Sequence, residues 1–541
     1  MNQDGNSPAM RVAAPGEAQA GDAEAASRRR SAAVPFAAAL LVLSASFANF
    51  LSYHTYPWFR LEVLVILAGL ALVSAAFAAI HVRRTNFGKA ILDGLLVFLA
   101  VDLNSDLPLV AAGAAAIVAF LRLGAGVSLL QPLMIIAGVV LVSAAAGHTE
   151  PRAPIARTAG KATPAVRDKA ILHIILDEHG GVGGSGNAEF RQQLRSFYTD
   201  RGFRLFERAY SRHFHTVNAI PDVLNFGHPG ESRNVAETLD IGRTVYLSGL
   251  ERQGYRLHFY QSDFADFCRY SSYASCTSYW SPSLAFVAPL PMSAGEKARL
   301  MAFKFAALSG LMQAMTGGFD VLTHLPVTRP LGIPVLAIEE RAASGSLGGF
   351  AALDRMAEDL RSAQPGHAYF AHILAPHFPY VMTRDCAIAE PSRWEYRRSS
   401  RPTAMREAAY RRQVSCLMRR LDKVVAAFLA SPAGTNGVVI IHGDHGSRVA
   451  DRDPIEANAD RLSAADLMAG YSTLFAVRAP GLAPGSSGQP LATPDILKQL
   501  AGSDFASVEG IPPGDGVVHL DGPNWTVGKS TSIAKAWPGA D

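Results

Sequence analysis

Five apolar stretches follow one another near the start of this chain and restrict what its first 147 residues can form. A helix that crosses a lipid bilayer needs about 20 mostly apolar residues, a length that the first, second and fifth stretches meet. The third is short and contains Asp93 and Asp102, so it would tilt, kink or merge with the fourth. We therefore predict about five transmembrane helices within residues 31–147. The stretches cover residues 34–52, 61–81, 90–103, 107–122 and 127–146.

Basic residues in alternate loops predict the orientation of these helices. Arg30, Arg83 and Arg122 each lie in a loop on the same side of the predicted membrane. Because loops rich in Lys and Arg stay in the cytoplasm, five spans would place residues 1–30 inside, as a disordered tail, and the chain after residue 147 outside. An even number of spans would place that later chain in the cytoplasm. A signal peptide is the alternative for the first stretch, but a long tail precedes it and further stretches follow.

The rest of the chain has the pattern of an α/β domain. Residues 148–168 are rich in Pro, Ala and charged groups, which predicts an extended linker. Residues 169–541 are enough to bury one large core. Short β-branched runs alternate there with helical patterns, such as 353–363 and 406–429, so we expect a mainly parallel sheet with helices on both faces. The net charge of +4 is too small to indicate binding to nucleic acid.

Two of the predicted strands end in residues that can bind a metal ion. The run 437–443 leads into Asp444 and His445, and an earlier apolar run leads into Asp177 and Glu178. Ligands of open α/β sheets gather at the carboxyl ends of the strands, and carboxylates and imidazoles are ligands of zinc. Two adjacent acids at a buried strand end repel each other unless a cation neutralises them. The simpler alternatives are a helix cap for Asp444 and a solvated loop for Glu178.

Two further segments add histidines and a hydroxyl group. His372 and His377 flank the end of a third apolar run, although a core histidine and a loop histidine are the alternative interpretation. Thr216 precedes a helical pattern and would by itself be read as a helix N-cap. A threonine hydroxyl becomes a good nucleophile only when a base or a metal lowers its pKa. The start of a helix also favours an anion, so both roles are compatible.

In this order the four segments resemble the alkaline phosphatase superfamily. They are most similar to its sulfatase-like membrane phosphotransferases, the phosphoethanolamine transferases and lipoteichoic acid synthases. The resemblance covers roughly residues 170–481 and the membrane region. It implies an N-terminal α-helical transmembrane bundle followed by an alkaline-phosphatase-like (sulfatase-like) α/β domain with a central, mainly parallel sheet.

The same resemblance implies a reaction and a cofactor. A phospho head group, phosphoethanolamine or phosphoglycerol, would move from a membrane phospholipid to an envelope glycan or lipid through a phospho-threonine intermediate. The protein would be a multi-pass, monomeric inner-membrane enzyme with a periplasmic catalytic domain and one divalent ion, Zn²⁺ or alternatively Mn²⁺. Thr216 would be the nucleophile. The implied metal ligands are Asp177, Glu178, Thr216, Asp444 and His445, and the implied substrate-binding residues are His377, His372 and Arg448.

Some residues depart from the family's pattern. Glu178 has no counterpart in the transferases, Ala219 replaces a serine, and residues 446–463 contain no histidine where the phosphoethanolamine branch has one. These differences bear on the head group rather than on the metal. Thr216 cannot become formylglycine, which nearly excludes a true sulfatase. A hydrolase that uses water as acceptor and a non-catalytic membrane scaffold are the alternatives, and the joint presence of nucleophile and ligands argues against the scaffold.

All four cysteines follow the predicted membrane region. Four cysteines allow three pairings, of which Cys268 with Cys276 and Cys386 with Cys416 are the local ones. Disulfides suit a periplasm-like compartment. A zinc cluster is the rival interpretation, but the chain has no C-x-x-C pair.

One apolar segment, residues 297–319, allows two interpretations. A buried helix in the core of the catalytic domain is the default. Because basic residues lie near its start, the alternative is a helix that rests on the outer membrane surface, close to a lipid substrate.

Overall fold

The computed structural model of this chain divides into two compact units. Unit 1 comprises Met1–Pro151 and Ser293–Ala337, and unit 2 comprises Arg152–Met292 and Ile338–Asp541. The structure describes residues 15–54, 56–105, 108–147, 155–158, 167–228, 232–235, 238–262, 264–269, 272–279, 284, 287–288, 292–306, 343–389, 393–394 and 402–537.

Unit 1 contains five consecutive helices at the positions of the apolar stretches. Ala32–Tyr53 and Leu61–Arg83 are long and apolar enough to cross a membrane, whereas Leu109–Ala125 and Leu130–Ala146 are apolar but shorter. A multi-pass arrangement therefore stays a prediction. The helices are α1 (Pro15–Tyr53), α2 (Leu61–Arg83), α3 (Asn86–Ser105), α4 (Pro108–Ala125) and α5 (Leu130–Gly147).

The first helix starts earlier than the sequence indicated. We expected residues 1–30 to be a disordered tail, but α1 begins at Pro15. The segment is rich in Ala and Glu, which favour a helix, and α1 continues through Pro35 into the first apolar stretch. Residues 1–14 lie outside the described residues.

Asp93 of α3 is buried inside unit 1 and is paired there. Its Oδ1 lies 3.0 Å from Nε2 of His81, and its Oδ2 lies 3.5 Å from Nη1 of Arg122. His81 belongs to α2 and Arg122 to α4, so this acid joins three helices. The charge of Asp93 made the third stretch a poorer candidate for a transmembrane helix. That charge is balanced by its partners within unit 1.

A sixth described helix of unit 1 comes from much later in the chain. Helix α9 (Ala294–Ala306) contacts α2. The ring of Phe305 lies 5.3 Å from that of Phe47 and 5.5 Å from that of Phe50, both in α1. The expectation that residues 169–541 form one uninterrupted catalytic domain is therefore wrong, because aromatic packing joins this helix to unit 1. A core helix of the catalytic domain is excluded for this part of residues 297–319, and residues 307–319 lie outside the described residues.

A nine-stranded sheet forms the centre of unit 2, in the order β1-β9-β7-β10-β2-β11-β12-β3-β13. The five strands from β9 to β11 are parallel, β12 is antiparallel to both of its neighbours, and β1 is antiparallel to β9. The predicted mainly parallel sheet is confirmed. The strands are β1 (Ile155–Thr158), β2 (Ala170–Leu176), β3 (Arg204–Phe206), β7 (Arg256–Ser262), β9 (Ser275–Tyr279), β10 (His367–Ile373), β11 (Gly437–Gly443), β12 (Phe475–Arg478) and β13 (Gly485–Ser487).

Strand β1 corrects the expected linker. It lies within residues 148–168, which we predicted to be an extended tether, and it pairs with β9 from Ile155 opposite Ser278 to Thr158 opposite Ser275. The edge of the sheet offers unpaired backbone groups, and this segment satisfies them.

Smaller strands and seven α-helices complete the described part of unit 2. Every residue of β2 is buried, as expected for a strand that is covered on both faces. The remaining strands are β4 (Ala209–Tyr210), β5 (Ser232–Val235), β6 (Thr238–Ile241), β8 (Ala265–Asp266), β14 (Leu491–Ala492), β15 (Val517–Asp521) and β16 (Val527–Ser532). The described α-helices are α6 (Ala188–Thr199), α7 (Thr216–Leu224), α8 (Val245–Arg252), α10 (Ala343–Asp359), α11 (Thr403–Ala430), α12 (Ala464–Tyr471) and α13 (Thr493–Gly502), besides short 3₁₀ turns.

Both predicted disulfides are present. Cys268 is bonded to Cys276, and Cys386 is bonded to Cys416. The second bond attaches the loop after β10 to α11, which is the helix next to it in the chain. The zinc-cluster interpretation of the cysteines is therefore excluded.

Candidate active site

Three neighbouring parallel strands bring the predicted ligands together. Asp177 follows the last residue of β2, Asp444 follows the last residue of β11, and His372 is the penultimate residue of β10. Because β2 lies between β10 and β11, their carboxyl ends meet at one edge of the sheet. The backbone N–H of Asp177 donates to the carbonyl of Ile373 at 2.9 Å, which ties two of these ends to each other.

Asp177 and Asp444 are both only 2% exposed. Oδ1 of Asp177 and Oδ2 of Asp444 accept no hydrogen bond within the described part of the chain. Burial, then the charge of Glu178, raises the pKa of Asp177 to about 8. Burial, then the charge of Asp177, raises the pKa of Asp444 to about 8. Two such carboxylates remain ionised at neutral pH only beside a cation.

His445 directs its Nε2 atom at these carboxylates. Its Nδ1 pairs with the carbonyl of Gly446 at 3.0 Å, so Nδ1 carries the proton and donates it. Nε2 lies 3.4 Å from Oδ2 of Asp444 and 3.7 Å from Oδ1 of Asp177. Burial, then the charge of Arg448, holds the pKa of His445 well below its usual value. Neutral imidazole with a directed nitrogen is the form that binds a metal ion.

Thr216 lies beside the same carboxylates and His445. It is the first residue of α7 and is 5% exposed, while His215 occupies the N-cap position. The hypothesis that Thr216 is itself the N-cap is therefore wrong by one residue. Its hydroxyl lies 3.4 Å from Nε2 of His445 and is close enough to the carboxylates of Asp177 and Asp444 to oppose the rise in the pKa of each. A hydroxyl at the start of a helix lies where an anion is favoured.

Glu178 points to a different side of the same site. Its φ is 67°, an uncommon value for a residue with a side chain, and it is fully buried. Oε1 lies 3.2 Å from Nη1 of Arg448 and 3.5 Å from Nε2 of His377, and Oε2 accepts the N–H of Phe378 at 3.2 Å. The solvated alternative for Glu178 is excluded. The geometry joins this acid to two predicted substrate-binding residues.

Two groups of side chains have the spacing of a metal site among the described residues, and both contain Asp177. One adds Glu178 and His377, and the other adds His372 and Asp444. His372 is fully buried, and neither ring nitrogen has a hydrogen-bond partner in the described structure. The structure brings His372 close to the carboxylates of Asp177 and Asp444, and its predicted role in binding substrate stays a prediction.

The glycines of this region allow close packing of the strand ends. A Cβ on Gly443 would lie 2.3 Å from the carbonyl oxygen of His179, and one on Gly446 would lie 2.1 Å from that of Ala469. No side chain fits at these distances. The Asp-His-Gly sequence therefore ends in glycine for a steric reason.

Two residues of α11 support the site, and no sequence pattern pointed to either of them. The hydroxyl of Tyr410 accepts the N–H of Gly180 at 2.8 Å and donates to the carbonyl of Glu178 at 3.1 Å. Gln413 donates to the carbonyl of His377 at 3.0 Å and accepts the N–H of Val381 at 2.7 Å. Both side chains therefore hold the loops that carry predicted site residues, and the Cys386–Cys416 bond adds a covalent link between the same two segments.

The chain matches no protein-family model and no curated protein. Among solved structures it is similar to the C-terminal periplasmic domain of EcEptC from Escherichia coli, in complex with Zn, at 11% identity over 73% of this chain and 99% of that chain, with a TM-score of 0.40. It is also similar to a 2-O GAG sulfatase, at 14% identity over 66% of this chain and 78% of that chain, with a TM-score of 0.40. A protein in the alkaline phosphatase superfamily from Vibrio parahaemolyticus is similar at 12% identity over 68% and 75% of the respective chains, with a TM-score of 0.35.

Proposed function

We propose that this chain is a metal-dependent membrane phosphotransferase of the alkaline phosphatase superfamily. It would move a phospho head group from a phospholipid to an envelope glycan or lipid. The observation that carries the proposal is the position of Thr216, whose hydroxyl lies 3.4 Å from Nε2 of His445 and beside the buried carboxylates of Asp177 and Asp444. A buried hydroxyl among two acids and a neutral imidazole is placed to become an alkoxide nucleophile once a cation is present.

The side chains fit a divalent cation. Two buried carboxylate oxygens lack partners within the described structure, and their raised pKa values indicate that positive charge is needed there. The donors combine carboxylate oxygens with imidazole nitrogen, a set that suits Zn²⁺ and also permits Mn²⁺. Asp177, Asp444, His445 and Thr216 would hold the ion, with His372 or Glu178 as a further ligand. When bound, the ion would lower the pKa of the Thr216 hydroxyl and offset charge on the phosphate.

The reaction would proceed in two displacements. Thr216 gives up its hydroxyl proton as Oγ1 attacks the phosphorus of the lipid, the bond from phosphorus to the lipid oxygen breaks, and the leaving lipid alcohol takes up a proton. An acceptor hydroxyl then gives up its proton as it attacks the phospho-threonine, the bond to Oγ1 breaks, and Oγ1 takes up a proton, which restores the threonine hydroxyl. Arg448 lies beside Glu178 and would donate hydrogen bonds to the phosphate oxygens, and His377, on the same side of the site, would line the space for the phosphate.

We also propose where in the cell this reaction takes place. Helices α1 and α2 would anchor the chain in the inner membrane as part of a multi-pass bundle, with unit 2 in the periplasm, where the two disulfides are stable. A monomer would suffice, because every residue of the proposed site comes from one chain.

The proposal is tested by comparing the lipids of cells with and without the gene by mass spectrometry. We expect a modified envelope glycan or lipid to disappear from cells without the gene, and to return with the wild-type gene but not with Thr216→Ala. Free head group released to water, with no modified acceptor, would indicate the hydrolase instead. Restoration of the wild-type lipid profile by Thr216→Ala would refute an enzyme that uses this nucleophile.

A further inference from the structure

A groove lies beside the nucleophile, between α7 and the C-terminal hairpin of β15 and β16. It contains a cavity of about 390 Å³ in unit 2. Val217 and Asn218, which follow Thr216 directly, line one side, and His519 of β15 and Val527 of β16 line another. The cavity therefore begins at the residue that directly follows Thr216, whose Oγ1 would carry the phospho group.

The rim of this groove exposes unusually large apolar groups. Trp525 is 47% exposed and Val527 is 53% exposed, two of only four large hydrophobic residues of unit 2 that are exposed within the described chain. The ring of Trp525 lies 6.1 Å from that of His215, and its carbonyl accepts the side chain of Asn218 at 2.8 Å. The backbone of Trp525 has a φ of 61°, which a bulky residue rarely adopts. An aromatic residue held exposed beside the nucleophile indicates a binding surface.

The deeper part of the cavity is polar and carries little net charge. His213 and His519 stack with centroids 5.0 Å apart, and Nδ1 of His213 is buried without a hydrogen-bond partner in the described chain. Burial, then His519 and Arg212, lowers the pKa of His213 to about 4, so its ring is neutral at pH 7. Arg212, the sole Lys or Arg among the described lining residues, is held by Asp222 through two bonds of 2.7 and 3.1 Å.

These properties favour one kind of ligand over another. Phosphate or carboxylate groups would need unpaired cations, and the guanidinium of Arg212 already has its carboxylate partner. A sugar ring offers hydroxyls that both donate and accept, as the neutral imidazole of His213 and the amide of Asn218 do. Its apolar faces match the exposed indole of Trp525 and the side chain of Val527.

We propose that this groove is the acceptor subsite and that it binds a sugar ring, with Trp525 and Val527 against its apolar face and His213, Asn218 and His519 bonded to its hydroxyls. This inference rests on the proposed function, because it names the acceptor of that reaction as a glycan. The sugar hydroxyl nearest Asn218 is then the group that attacks the phospho-threonine.

The test is a binding measurement that needs no turnover. The full chain is purified in a detergent without a sugar head group, and methyl β-D-glucoside is the probe in saturation-transfer NMR, with inorganic phosphate measured separately. We expect Trp525→Ala and Val527→Arg to weaken glucoside binding at least tenfold. Both side chains are exposed, so we expect neither substitution to disturb the fold. Met405→Ala, which removes a side chain that is 49% exposed elsewhere in unit 2, is the matched control and should bind as wild type.

The outcomes separate this inference from the proposed function. Thr216→Ala should bind the glucoside as wild type does, even if it turns nothing over. Glucoside binding that is unaffected by both groove variants would overturn the inference, as would phosphate binding that both variants abolish while glucoside does not bind. Loss of activity in Thr216→Ala tests only the proposed function. A change in glucoside binding tests only the proposal that the groove binds a sugar ring.

Discussion

Nη2 of Arg448 lies 2.9 Å from Nε2 of His445. A guanidinium can only donate hydrogen bonds, so Nε2 of His445 must be the acceptor. This agrees with the bond of its Nδ1 to the carbonyl of Gly446, and the two contacts together fix the tautomer. Nε2 therefore carries no proton, and it lies 3.4 Å from Oδ2 of Asp444 and 3.4 Å from the hydroxyl of Thr216.

Replacement of Arg448 tests this orienting contact. Arg448→Lys keeps the charge but cannot reach both His445 and Glu178 in the same geometry, so we expect turnover of a labelled phospholipid to fall about 100-fold. Arg461→Ala, a change on an exposed turn, is the control and should be neutral. Near wild-type turnover by Arg448→Lys would show that the guanidinium is dispensable.

Replacement of Asp444 tests the metal site. Asp444→Asn removes the negative charge that the cation would neutralise, so the purified full chain should lose its divalent ion and its activity together. Elemental analysis of the wild type should find about one tightly bound divalent ion per chain. Asp460→Asn, at an exposed position, should keep both ion and activity. An active wild-type protein that stays free of metal after exhaustive chelation would refute the site.

The location of unit 2 is tested by reporters and by thiol chemistry. A reporter that works only in the periplasm, fused to the C-terminus, should be active, because five spans would place unit 2 outside the cytoplasm. Protein isolated under alkylating conditions should show Cys268 linked to Cys276 and Cys386 linked to Cys416. Four free thiols together with an inactive periplasmic reporter would place unit 2 in the cytoplasm.

A pair of histidines away from the site predicts how stability depends on pH. Nε2 of His258 lies 2.9 Å from Nδ1 of His367, and burial, then the charge of His367, lowers the pKa of His258 to about 4. Below pH 6.5 the unfolded chain binds a proton that the folded chain excludes, so stability should fall as the pH drops from about 6.5 to about 4. After allowance for its partial exposure, we expect a loss on the order of 1–2 kcal/mol from this residue.

Thermal unfolding at several pH values measures this effect. In His258→Phe the aromatic stacking is kept and the titrating group is gone, so its melting temperature should decline less with falling pH than that of the wild type. His228→Gln, at an exposed position, should follow the wild-type curve. Identical curves for wild type and His258→Phe would contradict the assignment.

Much of the site followed from strand ends in the sequence. Apolar runs that lead into Asp177 and Asp444 identify parallel strands, and parallel strands place their carboxyl ends together, so the convergence of these acids was predictable. Features that depend on contacts between residues far apart in the chain could not be predicted in this way. The place of α9 in unit 1 depends on the packing of Phe305 against Phe47, and no local pattern marks a helix that leaves its own domain. Likewise, no local pattern shows that the exposed Trp525 lies beside α7, which it contacts through Asn218.

The most direct test of the account is a covalent one. Purified full-length protein is mixed with a labelled phospholipid donor, quenched within the first turnover, digested and sequenced by mass spectrometry. The account predicts that the phospho head group is attached to Thr216, that metal removal abolishes the adduct, and that Thr216→Ser keeps some of it. Transfer of the label to product at the wild-type rate by Thr216→Ala, with no adduct on any residue, would contradict it.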